Sequence, residues 1–374
     1  MKFINLSAQY KSIKNSVNSA VFKTLKSGSF ILGKNVKTFE EKISKLVGAK
    51  YAVGVNSGTD ALFLSLKALD IGSGDEVITT PFSFIATAEV IANCGARPVF
   101  VDIEPETFNI DADKIEGVIT KRTKAIIPVH LYGQMADMDK IMRIAKSKRL
   151  YVIEDAAQAI GASQRINMNG KWRMAGSIGT IGCFSFFPTK NLSAAGDAGM
   201  AVTNNKKIAE RLRMLRNHGA KFKYYHELLG YSSRLDEIQA AILLVKLSHL
   251  SKWNRARQRI ANQYRKAFSQ ISDVFPPVTA DSNVHVFHQY TIRIPHRDAL
   301  KEYLGKRGIP TAVHYPLPLH FQPALKYLGY KKGDFPEAER VAHEVISLPI
   351  YPELTAADIN RVIKTVKTFF THHV

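Results

Sequence analysis

The sequence predicts an α/β protein: a large unit built on a mostly parallel sheet flanked by helices, then a smaller α+β unit. Three observations carry this expectation. Between residues 51 and 155, short apolar strands alternate with helical stretches, the pattern of parallel βαβ units. From Arg234 to about Ile271 runs a long helical segment whose first turns repeat Leu235, Ile238, Ile242 and Val245 at helix period. Beyond it come one clear strand, a Pro-rich segment and closing helices. The expected division is therefore a large domain over residues 1–245 and a small C-terminal domain over 246–374, joined by a long helix starting near 234.

In order along the chain, the strand candidates are YAVGV, EVITT, PVFVDI, KAIIPVH and LYVIED, with helical stretches such as DALFLSLKALD and MDKIMRIAKSKR between them. In such a sheet, ligands meet the carboxyl ends of the strands. The pattern then changes to CFSFF, a polar Gly-rich loop and GMAVTN. VFHQYTIRI is the strand of the C-terminal unit, and IPTAVHYPLPLHFQP its Pro-rich segment. His372 and His373 lie at the end of the sequence and are expected to fray.

Composition excludes several classes. The 374 residues are 45% apolar and 22% charged, which is the mix of a globular protein with ample core. No apolar run approaches the roughly 18 residues that span a bilayer, so no membrane partner is expected. The opening MKFINLSAQYKSIK turns polar too early for a signal peptide, and a cytoplasmic location is the expectation. Cys94 and Cys183 form no disulfide framework, and no metal-binding pattern appears. Lys and Arg number 52 against 32 Asp and Glu, a net +20 that suits an anionic partner. The densest stretch, residues 206–223, holds seven cations and one Glu, with Ile208, Leu212 and Leu215 at helical spacing. It reads first as a solvated helix face. No zinc-finger spacing, ribonucleoprotein motif or basic zipper accompanies it, so nucleic acid is not the expected partner; a phosphate-bearing substrate is.

Three segments point to chemistry. SGTDALFLSLKAL follows a strand, so Gly58 and Thr59 stand at a helix mouth that suits an anion, although Ser57 or Thr59 capping the helix would read the same way. LYVIEDAAQAIG ends a strand in Glu154 and Asp155, with Gln158 just beyond. A carboxylate there can keep a pyridinium nitrogen protonated, as pyridoxal phosphate (PLP) chemistry requires, or it can be a structural aspartate. In CFSFFPTKNLSAAGDAGM, Lys190 follows an apolar strand, where a desolvated amine becomes a nucleophile unless it snorkels to solvent. Ser185 can turn its hydroxyl to the same anion as Thr59. Anion site, acid and lysine occur in this order within one α/β unit, and Asp155 and Lys190 are 35 residues apart.

With these segments in place, the chain resembles the DegT/StrS-type nucleotide-sugar aminotransferases, fold-type-I PLP transferases of the aspartate-aminotransferase fold group. The ordered matches are INLSAQY, SGSFILGKNVKTFE, NSGTDAL, PFSFIATAEVI, PVHLYGQ, EDAAQAIGA, FSFFPTKNL, GDAGM, RNHG, SRLDEIQAAIL and VHYPLPLH, and they cover nearly the whole chain. The resemblance implies Lys190 as the Schiff-base lysine and Asp155 as partner of the pyridine nitrogen. It places Gln158 at the phenolic oxygen, Phe84 stacked on the ring, and Gly58, Thr59 and Ser185 at the phosphate. Arg234, His314 and Tyr315 match positions that in some relatives reach the nucleotide sugar across a dimer, and His288 falls near the sugar-facing strand. The family often has Asn where GYSSR places Ser232, a contact to the neighbouring subunit's cofactor phosphate that a hydroxyl or a water would have to replace.

The resemblance further implies a homodimer with sites shared across its interface. It implies transfer of an amino group from L-glutamate, through the pyridoxamine phosphate form, to a keto group of a nucleotide-diphosphate-linked sugar. A 3-keto-hexose is favoured over a 4-keto one, for amino-sugar and surface-polysaccharide biosynthesis. Two alternatives belong to other classes. A PLP-dependent sugar dehydratase of the same family typically carries His in place of the lysine. A non-catalytic regulator or nucleic-acid binder would need a recognition module. GSIGTIG lacks the strand-to-helix context of a dinucleotide fingerprint, and His130 and His218 read as hydrogen-bonded structural residues.

Overall fold

The computed structural model describes residues 1–167 and 170–372. Its centre is a seven-stranded sheet of β1 (Tyr51–Val55), β2 (Glu76–Thr79), β3 (Arg97–Phe100), β4 (Thr123–Ile126), β5 (Tyr151–Asp155), β8 (Ile181–Ser185) and β9 (Gly199–Thr203), in the order β1-β9-β8-β5-β4-β2-β3. Between β5 and β8 lie β6 (Ser163–Arg165) and β7 (Trp172–Met174), which form a small sheet with β12 (Asn283–Val284). Adjacent strands from β3 to β8 pair in parallel, while β9 runs antiparallel to both β8 and β1. The return from β8 to β9 is a loop without a crossover helix, and such a connection reverses the chain. The strands are continuous apolar runs because helices cover both faces; β2 and β9 are buried throughout.

Each flanking helix shows its reason in sequence. The helix α1 (Leu6–Ser27) ends at Gly28 in the left-handed conformation, and α2 (Lys34–Val47) at Gly48 likewise. No side chain of its own caps α2. Instead the buried Glu237 carboxylate, distant in sequence, accepts from the Asn35 and Val36 amides at 2.9 and 2.8 Å. In α3 (Gly58–Ala68) the Ser57 hydroxyl accepts from the Asp60 amide, and α4 (Ala86–Asn93) follows β2. Asp137 caps α5 (Met138–Lys148). The basic segment is helical only over α6 (Lys206–Leu215), which buries Ile208, Leu212 and Leu215. Its remainder turns into a hairpin of β10 (Ala220–Phe222) and β11 (Tyr225–His226).

The expected long helix from near 234 is two helices, α7 (Glu237–Leu247) and α8 (Leu250–Phe268). At the break the Ser248 hydroxyl donates to the Val245 carbonyl and the His249 amide to that of Lys246, closing the turn tightly. Ile238, Ile242 and Val245 pack on α1 with Trp253 of α8. Farther along, α8 gives Ile260, Tyr264 and Phe268 to a separate core with β13 (Tyr290–Arg293), α9 (Arg297–Lys306), β14 (Val345–Leu348) and α11 (Ala356–His372). The expected fraying at His373 lies outside the described residues; α11 continues through His372.

One further cluster carries the C-terminal segment back over the sheet. Leu319, Leu325 and Phe335 pack with Phe82, Phe100 and Tyr132, and Asp102 accepts from both amides that open α10 (Pro336–Glu344). The Leu319 amide donates to the Pro81 carbonyl at 2.7 Å. This brings residues 314 and 315 to the carboxyl edge of the parallel strands. Among the described residues, no helix is long and apolar enough to cross a membrane.

Candidate active site

Asp155 is the last residue of β5 and is 6% exposed. Its Oδ2 accepts from the Thr87 hydroxyl at 2.8 Å and its Oδ1 from the Ala157 amide at 3.2 Å. Lys190 lies in the loop after β8, its amide donating to the Phe187 carbonyl. Burial pushes its ammonium down to about 8, and Asp155 pulls the other way. The loop beyond Lys190 is bound to the two connector helices at three points. Asn191 Nδ2 donates to Asn254 Oδ1, Lys246 Nζ to Ser193 Oγ, and the Ala195 amide to Gln239 Oε1.

Two histidines flank the lysine. Asn191 Nδ2 also donates to the Val286 carbonyl, so its Oδ1 is the acceptor that faces His288 Nδ1 at 3.3 Å. The proton of a neutral His288 therefore sits on Nδ1, and Nε2 keeps its lone pair. Burial, then the nearby Lys190, Arg257 and His314, hold this imidazole well below its usual range. His314 pairs with the Ser347 hydroxyl at 2.9 Å and is lowered to about 4, first by burial and then by Lys190.

Gln158 is oriented by its surroundings. Its Oε1 accepts from the Tyr132 amide at 2.6 Å, which leaves Nε2 as the donor, and Nε2 reaches the Tyr315 hydroxyl at 3.2 Å. Tyr132, at a left-handed φ of 57°, also donates its hydroxyl to the His314 carbonyl. Phe84 stands 56% exposed beside Tyr315, ring centroids 6.3 Å apart. Burial raises the Tyr315 phenol, with Gln158 opposing and Asp155 adding to the rise.

The anion end is a close approach. A Cβ on Gly58 would fall 2.6 Å from Ser185 Cβ, so α3 can begin against the end of β8 only because residue 58 is glycine. Ser57 occupies the Asp60 and Ala61 amides, which leaves those of Gly58 and Thr59 at the helix mouth, beside the Ser185 hydroxyl. The donor set fits PLP. Helix-mouth amides and hydroxyls suit its phosphate, the Asp155 carboxylate its ring nitrogen, Gln158 Nε2 its phenolic oxygen, and Lys190 Nζ its aldehyde.

The structure thus gathers Gly58, Thr59, Phe84, Asp155, Gln158, Ser185, Lys190, His288, His314 and Tyr315 in one chain's cleft. Within this chain Tyr315 bonds Gln158, and burial and then Lys190 lower the His314 imidazole. Ser232 and Arg234 are not gathered with them. They bond each other at 2.8 Å, and Arg234 reaches Asn217 at 3.1 Å. It is the adjacent Ser233 that bonds Asp60 of α3, at 2.7 Å. Ser233, Thr87, Tyr132 and Asn191 were not singled out in the sequence, although all four lie inside motifs quoted above, beside residues of plainer chemistry. His130 is structural as expected, its Nε2 on the buried Glu154 at 2.9 Å.

The profile of the DegT/DnrJ/EryC1/StrS aminotransferase family matches residues 11–367. A pleiotropic regulatory protein of Geobacillus stearothermophilus is 51% identical over 99% of this chain and 98% of its own. A UDP-N-acetyl-3-dehydro-alpha-D-glucosamine 3-aminotransferase of Acidithiobacillus ferrooxidans is 46% identical over 97% and 96%. The crystal structure of S. venezuelae DesV, in complex with a ketimine intermediate, superposes with a TM-score of 0.96 at 41% identity, covering 100% of this chain and 99% of that one. Other solved neighbours are described in pyridoxamine and pyridoxal phosphate forms.

Proposed function

We propose that this chain, which belongs to the DegT/DnrJ/EryC1/StrS aminotransferase family and depends on PLP, moves an amino group from L-glutamate to a nucleotide-diphosphate-linked keto-sugar, at C3 in preference to C4. The observation that carries the reading is the single cleft in which Lys190 and Asp155 meet an anion-binding helix mouth. The sugar class comes from relatives named for amination at C3, among them the Acidithiobacillus enzyme and a dTDP-3-amino-3,4,6-trideoxy-alpha-D-glucose transaminase of Streptomyces venezuelae, 42% identical over 98% of this chain and 95% of its own.

When bound, PLP supplies an electron sink for the charge left at a deprotonated carbon. This chain's residues do the rest. Asp155 would hold a proton at the ring nitrogen, and Phe84 would offer its exposed face to the ring. Lys190 Nζ takes the proton from the α-carbon of the amino donor and, in the second half, delivers one to the sugar carbon that receives nitrogen. The neutral imidazoles of His288 and His314 line the sugar side without adding charge beside Lys190.

The active unit in this reading is a homodimer. The hairpin before Arg234 exposes Phe222, Tyr224, Tyr225 and Leu229, the last at 96%, and a second copy would cover it and receive Arg234 and Ser232. The net +20 suits the substrate's diphosphate.

The test is a panel of UDP- and dTDP-linked 3-keto and 4-keto hexoses, each incubated with PLP-loaded protein and glutamate and read by mass. Conversion of 3-keto sugars to amines is the expected result. Exclusive use of 4-keto sugars would overturn the position, and failure of every sugar with retained donor turnover would overturn the sugar class.

A further inference from the structure

Asp155 is almost wholly buried and must keep its carboxylate in place against a ligand ring without help from water. Two side-on donors hold it: the Ala157 amide, which is two residues away on the same turn, and the Thr87 hydroxyl, which comes from a different element. Thr87 is in the first turn of α4, is 1% exposed, and places Oγ1 2.8 Å from Oδ2. A hydroxyl that donates to a carboxylate has a lone pair to spare, and the buried Ser83 hydroxyl stands 3.4 Å from Thr87 Oγ1. Ser83 to Thr87 to Asp155 is thus a chain of hydrogen bonds in one direction, each bond polarising the next. Phe84 lies between its first two members, so one short segment sets both the stacking ring and the acid.

We propose that Thr87 is a positioning residue of the transamination site: through its hydroxyl, supported by Ser83, it fixes the orientation and charge distribution of the Asp155 carboxylate toward the cofactor ring. The inference rests on Asp155 as the ring-nitrogen partner. Thr87→Val keeps the buried shape and deletes only the donor. Hydrogen bonds to charged groups are the strong ones, so kcat should fall about tenfold to a hundredfold with little change in KM. With one donor gone, more negative charge faces the ring. The pH midpoint of the visible absorbance of PLP-loaded protein, measured without any substrate, should then rise by about half a unit or more.

Thr87→Ser restores the hydroxyl and should bring both readouts back near wild type. An unmoved midpoint with unchanged kcat in Thr87→Val overturns the proposal. So does a loss of kcat with an unmoved midpoint that Thr87→Ser fails to rescue, which marks mere packing. Should Thr87→Val not fold, Ser83→Ala carries the test through the same chain: a smaller rise of the midpoint supports the proposal, and none overturns it. Asp155→Asn is run alongside. If it leaves both readouts unchanged, the assignment of Asp155 has failed; if it alone moves them, only the role of Thr87 has.

Discussion

Lys190 should behave as an amine with a midpoint near 8 in the PLP-free protein. The cause is burial, which removes the water that stabilises an ammonium; Asp155 offsets only part of it. At pH 7.5 such an amine is about a quarter unprotonated, whereas one at 10.5 is unprotonated to about one part in a thousand, a roughly two-hundred-fold gain in nucleophile. Trace acetylation between pH 6 and 11, read peptide by peptide by mass spectrometry, measures this directly. Lys246 is the internal control, because burial also lowers it to about 8, against Glu353, yet its Nζ is spent on Ser193. Both lysines should titrate early, and PLP should protect Lys190 while leaving Lys246 unchanged. Asp155→Asn removes the opposing pull and should lower the Lys190 midpoint further. A Lys190 midpoint above 10, or protection of Lys246 in its place, would refute the reasoning.

Asp155→Asn preserves shape but cannot hold the pyridinium charge, so turnover should fall by several powers of ten, each ~1.4 kcal/mol of lost stabilisation being tenfold; near-normal turnover would mean another carboxylate serves. Mixing Lys190→Ala with Arg234→Ala under subunit exchange should restore activity, since one site in each heterodimer is then intact. Lys190→Ala mixed with His314→Ala should stay inactive if His314 serves the site of its own chain, where Lys190 acts on it. Acid should unfold the PLP-free protein early. Burial lowers His285 to about 3, His314 to about 4 and His288 well below 6.5, so below pH 6.5 the unfolded chain binds more protons and stability falls. By pH 5 the loss is about 2 kcal/mol for each of His285 and His314, with His288 adding in the same direction, and a flat stability profile by chemical denaturation from pH 8 to 5 would contradict it.

The parallel strands were legible because burial on both faces leaves continuous apolar runs, Asp155 because it ends such a run with a polar group, and Lys190 because it follows one. What was hidden depends on contacts between distant residues. The strand order, with antiparallel β9 inserted between β1 and β8, leaves no local signature. The apolar stripe of the connector continues toward Ser248, while the break there is set by which carbonyls the turn captures. Thr87, Asn191 and Tyr132 read as ordinary polar residues, since their partners Asp155, Asn254 and His314 lie 68, 63 and 182 residues away.

The central claim is that the cleft of Lys190 and Asp155 passes nitrogen to a keto-sugar. Protein loaded with pyridoxamine phosphate carrying nitrogen-15 on its amine, freed of glutamate, can be mixed with a UDP-linked 3-keto-hexose and the sugar product weighed. The account predicts one labelled nitrogen per active site on the sugar and none from Asp155→Asn over the same interval. A sugar that returns without the label, from protein shown to hold the cofactor, would contradict it.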